Sequence, residues 1–289
     1  MKEIAWAAAL LVALVLAASA LGAAALVLQG RQAPKMDSPY VALGSSYAAG
    51  LGLGPRPPGS PILCRRGNNG YPRQLAQLTG LTLTDMSCSG ATILHVLKGG
   101  QFFMRPQIAA IGPDTKLVTL TAGGNDIGYI GDLLLLSYRQ RKTIGAIILS
   151  HLWKGARPAQ DRNFQGLQRN IIALLDEIRR RAPQARIVVV TYPTVLPPDG
   201  TCAQLGIGDR DAAIMRGVAG QLAQVTRDAA QASGAIIVDM ASLSNDHNAC
   251  STAPWVNGAM PAQGAAFHPT LAGATATAQH ILLALNQKP

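Results

Sequence analysis

Four separated stretches of this chain carry a serine, a glycine, an asparagine and a histidine in a pattern that suits acyl transfer. They are Ser45-Ser46 after YVALG (40–44), Gly90 closing SCSG (87–90), Asn125 in GGND (123–126) and His268 in FHP (267–269). A serine hydroxyl attacks an ester only when a base takes its proton and fixed donors hold the developing oxyanion. His268 is the candidate base, because an imidazole with an ordinary pKa of about 6.5 is largely neutral at pH 7 and can accept a proton. Ser46 is the candidate nucleophile. The candidate oxyanion donors are the backbone N–H groups of Ser46 and Gly90 and the side-chain amide of Asn125. The other histidines have plainer readings. His280 is mid-helix, His151 lies in an apolar insert, His95 follows the Gly90 turn and His247 neighbours Cys250. Taken singly, Gly90 and Asn125 read equally well as turn residues; their order with Ser46 and His268 carries the argument.

These groups need a common platform. Apolar runs at 40–44, 81–86, 117–121, 185–192 and 234–240 read as strands. Between them lie amphipathic segments. Residues 164–181 place apolar side chains at 164, 167, 171, 174, 175 and 178, the three-and-four spacing of a helix. Residues 211–232 and 271–285 read as two more helices. Strand–helix alternation with continuously apolar strands predicts an α/β fold whose parallel sheet is covered on both faces. Ligands of such sheets bind at the carboxyl ends of the strands, where the candidate stretches fall. Residues 131–160 hold two apolar clusters with Arg139, Arg141, Lys142, Lys154 and Arg157. They read as two helices packed on the sheet, or more sharply as a mobile substrate lid or a second membrane contact.

Composition narrows the class. The chain has 289 residues, 48% apolar and 14% charged, which excludes a disordered polymer. Much of the apolar excess sits at 4–28, where only Ser19 and Gly22 are not apolar. Without it the apolar share falls to roughly 44%, close to an ordinary globular chain. A helix of that length spans about 37 Å, enough to cross a hydrocarbon core of about 30 Å. The expected division is an anchor at 1–28, a linker at 29–39 and one hydrolase domain at 40–289. The rival is a cleavable signal peptide ending near Ala18-Ser19-Ala20. The chain is thus expected at the membrane facing the extracytoplasmic side, or secreted if that segment is cleaved. Four dispersed cysteines suit disulfides in an oxidising compartment, Cys64 with Cys88 and Cys202 with Cys250; four buried thiols are the alternative. Past residue 35 there remain 22 basic and 14 acidic residues, a net charge of +8. The basic residues are scattered without an aromatic ladder, so a solvated face is expected rather than nucleic-acid binding. No HExxH, paired-cysteine metal motif or G-x-S-x-G elbow occurs, so no metal or cofactor is expected. Gly50-Leu51-Gly52-Leu53-Gly54 fails as a dinucleotide loop because Pro55 stands where the last glycine belongs.

The stretches YVALGSSYAAG (40–50), NGYPRQLA (69–76), LTDMSCSGAT (83–92), LVTLTAGGNDIGY (117–129), VVVTYPTVLP (188–197) and AFHPTLAG (266–273) carry a resemblance. From about residue 40 onward the chain resembles the GDSL/SGNH hydrolases, in particular their bacterial secreted esterase–lipase branch with disulfides. The resemblance implies a three-layer α/β/α sandwich on a parallel, flavodoxin-like five-stranded sheet. It places the nucleophile on Ser46, oxyanion donors on Gly90 and Asn125, and the base on His268. Oxidised cysteines accord with that branch. Two positions depart from the family pattern. Ser45 stands where an aspartate precedes the nucleophile, and Ala265 stands three residues before the histidine, where an aspartate usually orients it. The Ala265 carbonyl could orient the imidazole instead, giving a Ser–His dyad; Asp246 is a remote substitute. The expectation is a monomeric esterase or lipase acting on lipid, short-chain or O-acyl esters. Leu51, Leu53, Ile62 and 102–104 either meet an acyl chain or pack as core and rim. The alternative is a weakly active or inactive binding module of the same fold at the membrane surface.

Overall fold

The computed structural model describes residues 2–36, 38–141 and 143–287. Its elements run α1 (Lys2–Arg31), β1 (Tyr40–Gly44), α2 (Ser46–Ala49), α3 (Tyr71–Thr79), β2 (Leu83–Asp85) and α4 (Ile93–Lys98). They continue with β3 (Leu117–Thr121), α5 (Tyr129–Arg139), α6 (Ile144–Leu152), α7 (Phe164–Arg181) and β4 (Arg186–Val190). The chain closes with α8 (Asp209–Ala232), β5 (Ile236–Val238), α9 (Met240–Leu243) and α10 (Leu271–Asn286). The five strands form one parallel sheet in the order β2-β1-β3-β4-β5. This is the doubly wound, flavodoxin-like order.

Alternation along the strands explains the three layers. Val41, Leu43, Val118, Leu120, Ile187 and Val189 point to one face and pack with α4, α5, α7 and α8. Tyr40, Ala42, Leu117, Val188 and Val190 point to the other and meet α3 and α10. Side chains alternate with period two, so a strand buried on both faces must be apolar throughout. The central strands β1 and β3 therefore match their sequence ranges. β2, β4 and β5 are all shorter than their apolar runs, because pairing stops before the apolar pattern does. Asp85 ends β2 by turning its carboxylate back to the Ser87 N–H at 3.1 Å.

The helices carry readable ends. The Asn163 side chain caps α7 by accepting the Gly166 N–H at 2.8 Å, and Arg179, Arg180 and Arg181 fill its last turn. Thr92 and His95 form a reciprocal capping box at the start of α4, which gives His95 a structural role. Thr270 caps α10 through the Gly273 N–H at 3.1 Å. The insert splits in character. α5 buries Leu133 and Leu136, as expected of a helix on the sheet. α6 buries only Ala146 and turns Ile144, Ile147, Ile148 and Leu152 outward.

The helix α1 continues to Arg31, three residues beyond the apolar run. Among the described residues it is the one helix long and apolar enough to cross a membrane, over Leu10–Arg31. Both disulfides form in sequential pairing, Cys64–Cys88 and Cys202–Cys250. The α7–α8 packing on the sheet centres on Leu174, which is fully buried. Leu174→Ala should lower stability by about 2–5 kcal/mol, read as a drop in the urea midpoint at unchanged slope.

Candidate active site

The site is built on a chain turn that admits no side chain. β1 ends at Gly44, whose φ is 139°, and a Cβ there would stand 2.3 Å from the Thr121 carbonyl oxygen. The Ser45 N–H donates to that same oxygen at 2.9 Å. The buried Gln107 amide grips Gly44 from the other side. It accepts the Gly44 N–H at 2.8 Å and donates to the Gly44 carbonyl at 3.0 Å. Ser46 follows as the first residue of α2, buried to 8% exposure. Its N–H, at the first helical position, lacks an intrahelical acceptor by geometry.

The base arrives from the far end of the chain. His268 Nε2 lies 2.7 Å from Ser46 Oγ. Its Nδ1 lies 2.7 Å from the Ala266 carbonyl oxygen. A carbonyl can only accept, so Nδ1 carries the hydrogen and Nε2 is left to accept from the Ser46 hydroxyl. The orienting carbonyl is therefore that of Ala266, not the expected Ala265. Phe267 adopts φ of 57°, and the Ala265 carbonyl is used instead to close the turn with the His268 N–H at 3.2 Å. It also accepts from Asn257 Nδ2 at 3.2 Å. Asp246 is exposed and forms no hydrogen bond with the imidazole, both of whose nitrogens are engaged elsewhere. Tyr47 stabilises this turn. Its hydroxyl donates to the Phe267 carbonyl, and its ring centroid lies 5.0 Å from that of His268.

The oxyanion candidates lie on two neighbouring loops. Gly90, with φ of 85°, follows the disulfide residue Cys88, and Gln101 Nε2 donates to the Ser89 carbonyl at 2.8 Å. Asn125 Nδ2 donates one hydrogen to the Ala91 carbonyl at 2.9 Å, which ties its loop to that of Gly90. An amide nitrogen carries a second hydrogen, so Asn125 keeps a donor for a ligand. Asp126 accepts the Ile93 N–H at the head of α4, both oxygens at 3.1 Å. Burial pushes its carboxyl up to about 6, against the pull of that hydrogen bond. The Arg162 guanidinium, nearly buried, donates to the Ile127 carbonyl and pairs with Asp132 at 2.6 Å. It thereby fixes the descent from the GGND loop into α5.

The serine at position 45 has a structural counterpart. Its hydroxyl lies 2.8 Å from the Tyr192 hydroxyl, which accepts the Gly124 N–H at 3.2 Å. Ser45 is fully buried, so an aspartate there would place a charge beside the Thr121 carbonyl without a cation. A neutral hydroxyl chain fits the position. Gln107, Tyr47, Tyr192, Asp126 and Ala266 all position the site and were not singled out by motif. Tyr47 and Tyr192 had the signal of lying beside the nucleophile and at a strand end. Gln107 had none, because its partner Gly44 is distant in the chain. A wide cleft of about 1100 Å³ opens nearby, lined by Gly52, Leu53, Arg141, Asn257, Gly264 and Leu271 among others. Neither Ser46 nor His268 lines it. Among the described residues no cluster of metal-ligating side chains occurs.

Known proteins share this arrangement of chain. The GDSL-like lipase/acylhydrolase family model matches residues 42–276. Lipase 2 of Streptomyces coelicolor is 34% identical over 75% of this chain and 74% of its own length. The crystal structure of a phospholipase A1 from Streptomyces albidoflavus NA297 superposes with a TM-score of 0.68 at 27% identity. It covers 87% of this chain and 99% of that one. An extracellular lipase from Streptomyces rimosus gives a TM-score of 0.66 at 29% identity, over 86% of this chain and 97% of that one.

Burial lowers the His268 pKa to about 4, and the nearby Arg65 charge adds to the effect, while the Ala266 carbonyl opposes it. In the unfolded chain the imidazole titrates near about 6.5. The folded value lies below the unfolded one, so protons bind the unfolded state first. His268 should then titrate near pH 4 by NMR of its ring protons. Its contribution to folding stability, wild type minus His268→Asn, should be full above pH 6.5 and lost as pH falls toward 4. The raised Asp126 carboxyl works in the opposite sense over part of that range, which is why the difference against the variant is the quantity to measure.

Proposed function

The chain belongs to the GDSL-like lipase/acylhydrolase family, and from that premise we propose how this serine ester hydrolase works and where. The hydroxyl of Ser46 attacks the acyl carbonyl while Nε2 of His268 accepts its proton. The N–H groups of Ser46 and Gly90 and the free hydrogen of the Asn125 amide receive the oxyanion. Collapse of the tetrahedral adduct sends the proton from the imidazolium to the leaving alkoxide oxygen. Water then attacks the acyl-enzyme, with His268 again as base, and the free acid departs. The observation that carries this reading is the pair of 2.7 Å contacts on the imidazole, Ser46 Oγ on one nitrogen and the Ala266 carbonyl on the other. It supports a Ser–His dyad in which a backbone dipole, instead of a carboxylate, holds the tautomer.

The substrate class proposed is the acyl ester of a lipid, supported by the lipase and phospholipase A1 names of the similar Streptomyces proteins. The catalytic domain proposed is 40–289, preceded by a linker and by α1 as an uncleaved membrane segment. Its last turn packs on the domain: the Gln29 side chain accepts the Ile62 N–H at 3.3 Å, and Arg105 donates to the Arg31 carbonyl at 2.9 Å. The two disulfides and the extracellular lipase of Streptomyces rimosus support an extracytoplasmic site of action.

A fluorophosphonate probe should label the wild-type chain and fail to label Ser46→Ala. Asp246→Asn should retain turnover of a soluble ester within about twofold, since the group is exposed and makes no hydrogen bond to the imidazole. A hundredfold loss without unfolding would rule out the dyad. No labelling and no ester turnover by wild type would favour the inactive binding module.

A further inference from the structure

The end of α1 and the loop beside the candidate oxyanion site are in direct contact. The candidate span ends at Arg31. A Cβ on Gly30 would meet Met104 Cγ at 2.8 Å and the Phe102 carbonyl at 3.3 Å. A side chain at this position would force Met104 to shift, so the glycine lets the helix lie close on that loop. Met104 in turn packs on the buried group Cys64, Cys88 and Ala91. Gln101 holds the Ser89 carbonyl at 2.8 Å, one residue before Gly90. From the last turn of α1 to the oxyanion loop the path is therefore a few contacts long.

The tip of that loop is Phe102-Phe103. Both rings are exposed, 42% and 65%, and both residues adopt left-handed φ values of 50° and 61°. Bulky residues seldom take that conformation, and holding one there costs on the order of 1–3 kcal/mol. Two strained aromatics left partly in the open, Phe103 most of all, leave apolar surface that the protein does not cover. They gain from an apolar–polar boundary, where aromatic side chains concentrate. The charges around them fit that boundary. Arg31, Lys35, Lys98 and Arg105 are exposed, a basic collar suited to anionic headgroups.

Resting on the reading of α1 as a membrane segment, we propose that Phe102 and Phe103 form an interfacial wedge. The rings enter the headgroup–acyl boundary of the leaflet where α1 emerges, and seat the Gly90 side of the active site on that surface. The substrate is then a phospholipid ester presented by the bilayer, with preference for anionic headgroups. Hydrolysis needs no free passage of the lipid through water.

The test uses the full chain reconstituted into vesicles of phosphatidylcholine with and without a quarter phosphatidylglycerol. The variant is Phe102→Asn/Phe103→Asn. Asparagine tolerates left-handed φ, so folding should be retained or improved. Wild type should cleave the vesicle lipids faster when phosphatidylglycerol is present. The variant should lose about tenfold or more on vesicle lipid, yet hydrolyse p-nitrophenyl acetate like wild type. Leucine at both positions should restore vesicle activity. Unchanged cleavage of vesicle lipid by the asparagine variant overturns the wedge. An equal fall on vesicle lipid and soluble ester overturns it too, by making the loop a support for the oxyanion site. Failure of wild type on the soluble ester itself would instead sink the ester hydrolase reading, and this inference with it.

Discussion

At Gly44 the first strand leaves the sheet within van der Waals distance of its neighbour, and the rest of the site inherits that geometry. The Thr121 carbonyl occupies the place a Cβ would need, and the Ser45 N–H uses that same oxygen. The Gln107 amide supplies to Gly44 the two hydrogen bonds that a continuing strand would have given. Backbone polar groups buried this deeply must find partners, so the turn has one allowed path. That path delivers Ser46 to the head of α2 with its hydroxyl toward the last loop before α10. The Cys88 N–H also reaches the Gly44 carbonyl at 3.0 Å, which couples the oxyanion loop to the same turn.

Desolvation sets the chemistry on this frame. His268 is buried and neutral, with a carbonyl rather than a carboxylate behind it. A carboxylate would stabilise the imidazolium by charge; a carbonyl offers only a dipole. The same burial that makes His268 reluctant to hold a proton would strengthen the proposed donors to an oxyanion. Tyr47 packs between Tyr192 and His268, and Tyr192 meets Tyr129 of α5 edge-on.

How much of this was legible in the sequence depended on the range of the interaction. β1, β3 and α7 could be bounded to the residue because burial on a fixed face leaves a periodic record. β2, β4 and β5 overran because an apolar run does not say where pairing stops. Ser46, Gly90, Asn125 and His268 stood out because each lies in a stretch with its own local signature, and the structure brings Ser46 and His268 into contact. Gln107 did not stand out, because its meaning resides wholly in Gly44, 63 positions away. The shift from Ala265 to Ala266 turns on a single left-handed residue, Phe267, and nothing in its type announces that conformation. The outward face of α6 was equally hidden, since an apolar helix pattern reads the same whether or not anything covers it.

Ser46 and His268 are 222 positions apart, at opposite ends of the folded region. A chain is made from its N-terminus at roughly 5–20 residues per second. While α10 and the turn before it are still in the ribosome, Ser46 exists without His268. The Ser46–His268 contact can therefore close only once the turn before α10 is made and α10 packs against α3, so the order of synthesis sets when the pair is complete.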